Sequence, residues 1–212
     1  ALDVLHGSGF AVLSEESGKS GVAAGSAGEA PLWAVLDPVD GSTNAWQGLP
    51  FFATSICVLD ELGARASVVV NQATGVRYEA VRGRGARRDG LPLRPSGREL
   101  MSSAVVGIGG FPRRHLGWAQ FRALGCASLE LCAVAEGTLD AYGVVGGSHL
   151  RPWDYLGGLL ICREAGAVVV DLDDEDLVIC DDHARSPVAA ATPQLVDAWL
   201  VAAAWRSEEN DR

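Results

Sequence analysis

Apolar positions along the chain fall into short runs separated by Gly, Pro and Asp, which predicts strands first and alternating strands and helices later. Residues 10–13 predict a strand entered from the end of a helix, and the all-apolar run 32–36 a strand buried on both faces. Between them, residues 18–30 are rich in Gly, Ala and Ser and predict a flexible surface loop. Runs 52–59 and 65–71 predict strands around the turn 60–63, run 76–81 continues the sheet, and Asp89-Gly90 marks a hairpin. In the second half, 103–108, 140–145, 168–172, 177–180 and 188–191 predict strands. Helical spacing covers 115–124, 128–135 before Gly137, 154–165 with Asp at its start and Gly166 past its end, and 193–205. With neither repeat nor linker, we expect one domain over 1–212 with a subdomain break near residue 100, in a layered α/β (α+β) architecture.

Composition narrows the function classes. At 48% hydrophobic and 21% charged, the 212 residues can build a substantial core. Net charge is −10 and Lys19 is the sole lysine, which argues against a nucleic-acid footprint. The arginine-rich stretch 82–90 interleaves no aromatic residue and reads as a solvated hairpin. Cys57, Cys126, Cys132, Cys162 and Cys180 form no CxxC pair, so buried free thiols are expected over a zinc or redox motif. No apolar run reaches membrane-spanning length and no leader pattern opens the chain, so we expect a cytoplasmic protein.

Three acidic stretches carry candidate chemistry. The first is DPVDGSTN, residues 37–44, at the mouth of the predicted strand. Pro38 restricts the backbone between Asp37 and Asp40, and a turn there can aim both carboxylates and the Val39 carbonyl at one Mg²⁺ ion. Gly41 permits close backbone approach, while Ser42 or Thr43 can open a helix whose amides favour phosphate. An Asx turn with an N-cap explains the same residues. The second stretch, SEES at 14–17, equally fits an exposed turn, and Asp154 in RPWD equally fits a helix cap. A fourth acidic run, residues 171–176, lacks the glycine and spacing of an EF-hand and reads as a solvated turn.

Taken in order, SEES, WAVLDPVDGSTN (33–44) and WDYLGGLLICREAG (153–166) resemble the inositol monophosphatase family of Mg²⁺-dependent, lithium-sensitive sugar-phosphate phosphatases. Residues 71–90 resemble the family's hairpin and 125–128 its substrate-side loop, so the likeness covers nearly the whole chain. The resemblance implies an αβαβα sandwich of the inositol monophosphatase/fructose-1,6-bisphosphatase type and hydrolysis of a small phosphate monoester. By position, Glu15, Asp37, Asp40 and Asp154 and the Val39 carbonyl would hold two or three Mg²⁺ ions. Glu15 and Ser42 would orient the attacking water, with Asp37 completing the catalytic set. The amides of Gly41 and Ser42 would hold phosphate, and Gly125, Cys126, Ala127 and Asp154 would face the rest of the substrate. No covalent nucleophile is implied, and His6, His115, His149 and His183 lie outside these motifs.

Two departures bear on specificity and architecture. Inositol-specific members carry a Glu seven residues before the WD aspartate, where this sequence has Gly147. The family also begins with a helix pair ahead of the SEES strand, of which this sequence holds little, so an apolar sheet face is expected to be exposed. The expected partners are a small phosphorylated substrate and a second copy in a homodimer, with no nucleic acid or membrane. Within the superfamily the alternatives are a 3′(2′),5′-bisphosphate nucleotidase or a fructose-1,6-bisphosphatase; outside it, a non-catalytic binding protein on the same scaffold.

Overall fold

Two sheets, divided between Pro92 and Val105, organise the computed structural model, which describes residues 1–21 and 32–204. The first sheet contains β1 (Ala11–Ser14), β2 (Gly18–Ser20), β3 (Trp33–Asp40), β4 (Ala53–Asp60), β5 (Gly63–Asn71), β6 (Arg77–Val81), β7 (Ala86–Arg88) and β8 (Leu91–Pro92). Their order is β2-β1-β3-β4-β5-β6-β7-β8. It is an antiparallel meander from β3 onward, with β1 parallel to β3. The second sheet contains β9 (Val105–Gly109), β10 (Gln120–Arg122), β11 (Ala141–Val144), β12 (Val168–Asp171) and β13 (Pro187–Ala190), in the order β10-β9-β11-β13-β12.

Helices α3 (Ala127–Glu136) and α4 (Pro152–Ala165) lie between the sheets and touch both. Helix α5 (Pro193–Ala204) covers the far side of the second sheet, where Trp199 and Leu195 pack on Val188 and Ala190. On the far side of the first sheet, α1 (Leu2–Gly7) sets Leu2 and Leu5 against Val12, Ala34 and Leu36. The layering is therefore αβαβα, as the resemblance implied. The face beside α1 also carries Ile56, Val58, Val68 and Val70, each half-buried rather than exposed.

Small residues let α4 sit this deep. A Cβ on Gly157 would lie 2.4 Å from Ser55 Oγ, and one on Gly158 would lie 2.5 Å from Leu131 Cβ. Gly157 thus admits the β4 strand and Gly158 the α3 helix, while Leu156, Leu159, Leu160 and Ile161 fill the core between the sheets. The sheet's alternation of buried and part-buried residues along β4 and β5 follows from having α4 on one face alone.

Four expectations change. Residues 18–20 form β2 paired antiparallel with β1 and Gly21 follows it; residues 22–30 of the predicted flexible loop lie outside the described residues, as does Trp205 of the predicted last helix. Residues 115–124 are not helical: Gly117 takes φ +98°, Leu116 and Trp118 turn into the core with the Trp118 ring tilted against Trp199 at 5.9 Å between centroids, and Gln120–Arg122 pairs with β9. Residues 177–180 form no strand, because their backbone groups meet side chains: Tyr155 Oη donates to the Leu177 carbonyl at 2.8 Å, and Val178 N–H donates to Asp176 at 2.9 Å. The acidic turn 171–176 therefore has a strand on one side alone, and Asp171 is buried, accepting from Ser186 N–H. The Asp89-Gly90 hairpin is present, both residues having positive φ, and all five cysteines are free, four of them buried.

Candidate active site

Strand β3 ends in the two acids of DPVDGSTN, and a bulge sets their aim. Residues three apart on a regular strand point to opposite faces. Here Asp37 pairs with Ser55 and Asp40 with Ala53, so three steps on β3 match two on β4 and both carboxylates reach the same side. Pro38 suits the bulge because it has no N–H to place in a ladder, and its carbonyl is held by Thr54 Oγ1 at 3.0 Å and Gln72 Nε2 at 2.8 Å. Val39 N–H donates to Asp37 Oδ1 at 2.8 Å. The turn reading and the paired-acid reading of this stretch are thus one geometry.

The third acid arrives on α4. Pro152 takes the first helical position and Asp154 the third, where its Oδ2 accepts Arg151 N–H at 2.6 Å. Asp154 is therefore inside the first turn, three residues beyond the cap position, which Arg151 takes. Ligand oxygens of Asp37, Asp40 and Asp154 all lie within 4.8 Å of one another. Glu15, exposed just past β1, lies in side-chain hydrogen-bonding reach of Asp37.

Asp40 is the best-anchored member. Ser128 N–H donates to its Oδ2 at 2.7 Å, the Cys126 thiol donates to the same oxygen at 3.1 Å, and the Ala127 amide and Ser128 hydroxyl also face it. These groups form the start of α3, where free amides and the helix dipole favour an anion. Gly41 follows at φ +79°, and a Cβ there would lie 3.0 Å from both the Gly125 carbonyl and Cys126 Cβ. Gly125 itself has φ +77°, Ala127 opens α3, and Ser42 opens the short, exposed helix α2 (Ser42–Gln47).

Crowding of like charges marks the cluster electrostatically. Burial, then Asp40 and Glu15, push Asp37 up to about 8, against the pull of the Val39 amide. Burial also pushes Asp154 up to about 7, with Asp40 and Glu15 adding to it and the Arg151 amide opposing. Burial raises Asp40 despite its Ser128 bonds, and burial followed by Glu16 raises Glu15. All four acids are thus strained toward protonation unless positive charge reaches them. Carboxylate oxygens alone, three converging from β3 and α4 with Glu15 beside them, fit a hard divalent cation.

Two buried groups next to the cluster were not singled out from the sequence. Asn44 Nδ2 donates to the Phe51 and Leu124 carbonyls, each at 2.7 Å, tying the DPVDGSTN segment to the loop before α3. Glu130 is 1% exposed within α3. Its signal was visible as one acid in the apolar run SLELCAVA.

A model described as the inositol monophosphatase family matches residues 5–209. The chain is 35% identical to a fructose-1,6-bisphosphatase/inositol-1-monophosphatase of Archaeoglobus fulgidus over 182 residues, covering 84% of this chain and 68% of that protein. It is 33% identical to Nus factor SuhB of Pasteurella multocida over 177 residues, covering 76% of this chain and 63% of that protein. The chain thus spans less than two thirds of the length of that second relative. Among solved structures, a Pyrococcus horikoshii protein described as similar to inositol-1 monophosphatase superimposes with a TM-score of 0.81 at 29% identity, over 95% of this chain and 79% of that one.

Proposed function

The chain belongs to the inositol monophosphatase family, and from that premise we propose that it hydrolyses a small phosphate monoester with Mg²⁺ held by Asp37, Asp40, Asp154 and Glu15. The observation that carries the proposal is the convergence of three carboxylates within 4.8 Å. Such a group is self-repulsive without a cation and well matched to one. When bound, Mg²⁺ supplies positive charge against a phosphate dianion and makes a water molecule acidic enough to attack in line.

The chain's own residues supply geometry and proton handling. Asp40, fixed by the start of α3, and Asp154, fixed by Arg151 N–H, hold their oxygens in place before a substrate arrives. Asp37 and the Val39 carbonyl complete the ligand set. Glu15 is the exposed member and Ser42 stands at the opening of α2, positions from which they orient the attacking water. Gly41 and Ser42 present amides to the phosphate, while Gly125, Cys126, Ala127 and Asp154 border the alcohol portion.

The substrate is inositol monophosphate or a related sugar or polyol phosphate. Gly147 has φ +87° with open space around it, so no side chain reaches substrate hydroxyls from that position. Inhibition by Li⁺, a homodimer and a cytoplasmic location belong to the same reading, in which neither nucleic acid nor membrane is a partner. Among the described residues no helix is long and apolar enough to cross a membrane. Within the superfamily, a 3′(2′),5′-bisphosphate nucleotidase or fructose-1,6-bisphosphatase would use the same acids. A non-catalytic regulatory role is the second reading, favoured by the similarity to proteins named Nus factor SuhB. Phosphate release from a panel of inositol, sugar and nucleotide phosphates, with and without Mg²⁺, separates them. Turnover of polyol or sugar monophosphates supports the first reading, and a full chain inert toward every substrate supports the last.

A further inference from the structure

Glu130 is the unexplained carboxyl group of the core. It lies on the face of α3 that meets the second sheet, 1% exposed, beside Gly107, Leu139 and Tyr142. A carboxylate so placed is costly unless its oxygens find donors. Its donors are backbone amides of the loop before α3: Leu124 N–H reaches Oε1 at 3.3 Å, and the N–H groups of Gly125 and Cys126 face the same carboxylate. Burial pushes Glu130 up to about 8 against the pull of these amides. Three successive amides gathered on one carboxyl group make a tight concave turn, which Gly125 permits through its positive φ. The slot is prepared from the sheet side as well. A Cβ on Gly107 of β9 would lie 2.9 Å from Glu130 Oε1 and 3.0 Å from Tyr142 Cδ2, so glycine there makes room for the carboxylate.

The outer side of the same turn faces the acid cluster. The Leu124 carbonyl takes Asn44 Nδ2, the Gly125 carbonyl backs Gly41, and Cys126 and Ser128 hold Asp40. We propose that Glu130 is a positioning residue: by gathering the amides of residues 124–126 it sets both the loop that borders the substrate and the anchors of Asp40. What the loop touches rests on the phosphatase reading. The grip itself does not.

The test compares wild type with Glu130→Gln, Glu130→Asp and Gly107→Ala in the full chain. The readouts are amide hydrogen exchange, Mn²⁺ affinity by electron paramagnetic resonance, and KM against kcat. Glu130→Gln keeps one acceptor oxygen but puts an NH₂ donor in place of the other, so the three amides lose part of their shared acceptor. Exchange at residues 124–126 then rises roughly tenfold or more while α4 keeps its protection. Mn²⁺ binds roughly fivefold more weakly or worse, and KM rises by a similar factor with kcat changing less. Glu130→Asp keeps the carboxylate on a shorter arm and recovers part of each loss. Gly107→Ala, which presses on the same oxygen with Glu130 intact, reproduces the pattern and serves if Glu130→Gln does not fold. Unchanged exchange at residues 124–126 overturns the proposal. Faster exchange with unchanged Mn²⁺ affinity and KM reduces Glu130 to a fold-stabilising residue and also overturns it. A wild-type chain that turns over no phosphate ester sinks the phosphatase reading instead, and exchange with Mn²⁺ affinity then decide the role of Glu130.

Discussion

Ser128 donates its backbone N–H to Asp40 Oδ2 at 2.7 Å, joining residues 88 positions apart in the chain. The bond couples the end of β3 to the start of α3, so one acid of the cluster is held rigidly by the packing of a helix between two sheets. Substituting Asp40→Asn keeps an oxygen for Ser128 while removing one of the repelling charges. Cation-free protein then melts higher than wild type, and the rise in Tm on adding Mg²⁺ is lost. Both are read by thermal unfolding with and without EDTA. A retained Mg²⁺ shift in this variant contradicts a ligand role for Asp40.

The raised acids fix the sign of a pH effect. Asp37 is held up to about 8 and Asp154 up to about 7 in the fold, whereas in the unfolded chain both ionise near the ordinary carboxylate value of about 4. Between those limits the folded state binds more protons, so the contribution of these groups to stability falls as pH rises. Cation-free wild type should therefore lose Tm relative to Asp37→Asn on going from pH 5.5 to pH 8.5, on the order of 2–4 °C for each kcal/mol involved. Mg²⁺ reverses the trend, because it binds the deprotonated acids and binds them more tightly at the higher pH. A Tm difference between the two proteins that does not vary with pH counts against the cluster's strain.

Close packing of α4 predicts unequal costs for two adjacent glycines. Gly158→Ala drives a methyl to 2.5 Å from Leu131 Cβ, an atom fixed to its backbone, whereas Gly157→Ala meets Ser55 Oγ, which can rotate away. Overpacking costs about 1–3 kcal/mol, offset by up to about 1 kcal/mol of helix propensity. Urea denaturation should show Gly158→Ala clearly destabilised and Gly157→Ala less so. Equal stability of both variants would mean that α4 is free to shift.

Removing the Asn44 side chain leaves the Phe51 and Leu124 carbonyls without their shared donor. Asn44→Ala should destabilise by about 1–3 kcal/mol and weaken cation binding, since the DPVDGSTN segment loses its tie to the loop that holds Asp40. Asn44→Asp is expected to do no better, because an acceptor would then face two acceptors. Stability within about 0.5 kcal/mol of wild type for both variants would exclude this tie as a support of the site.

Legibility from sequence followed the range of the interactions. Strands β3 to β6, the Asp89-Gly90 hairpin and the Gly137 and Gly166 helix ends were readable because alternation and cap chemistry are local. The stretch 115–124 has helical spacing, yet Trp118 is spent against Trp199, some eighty residues later, and a left-handed Gly117 ends any helix there. Residues 177–180 look like a strand, but the hydroxyl of Tyr155 takes the Leu177 carbonyl. At the site, the acids were legible from motif order and residue type. The bulge that lets Asp37 and Asp40 share a side was not, because it depends on the register of β4. Nor was the Ser128 anchor on Asp40, for no local pattern encodes a bond between residues so far apart.

Central to this account is that Asp37, Asp40 and Asp154 bind the cation on which phosphate-ester hydrolysis depends. The most direct measurement is the rate of inorganic phosphate release from inositol monophosphate and sugar monophosphates across a Mg²⁺ titration, for the full wild-type chain, Asp37→Asn and Asp154→Asn. The account predicts saturable Mg²⁺ dependence, abolition by EDTA and by Li⁺ inhibition, and a loss of roughly 100-fold or more in either variant. Turnover that persists in EDTA, or that survives both substitutions, would contradict it.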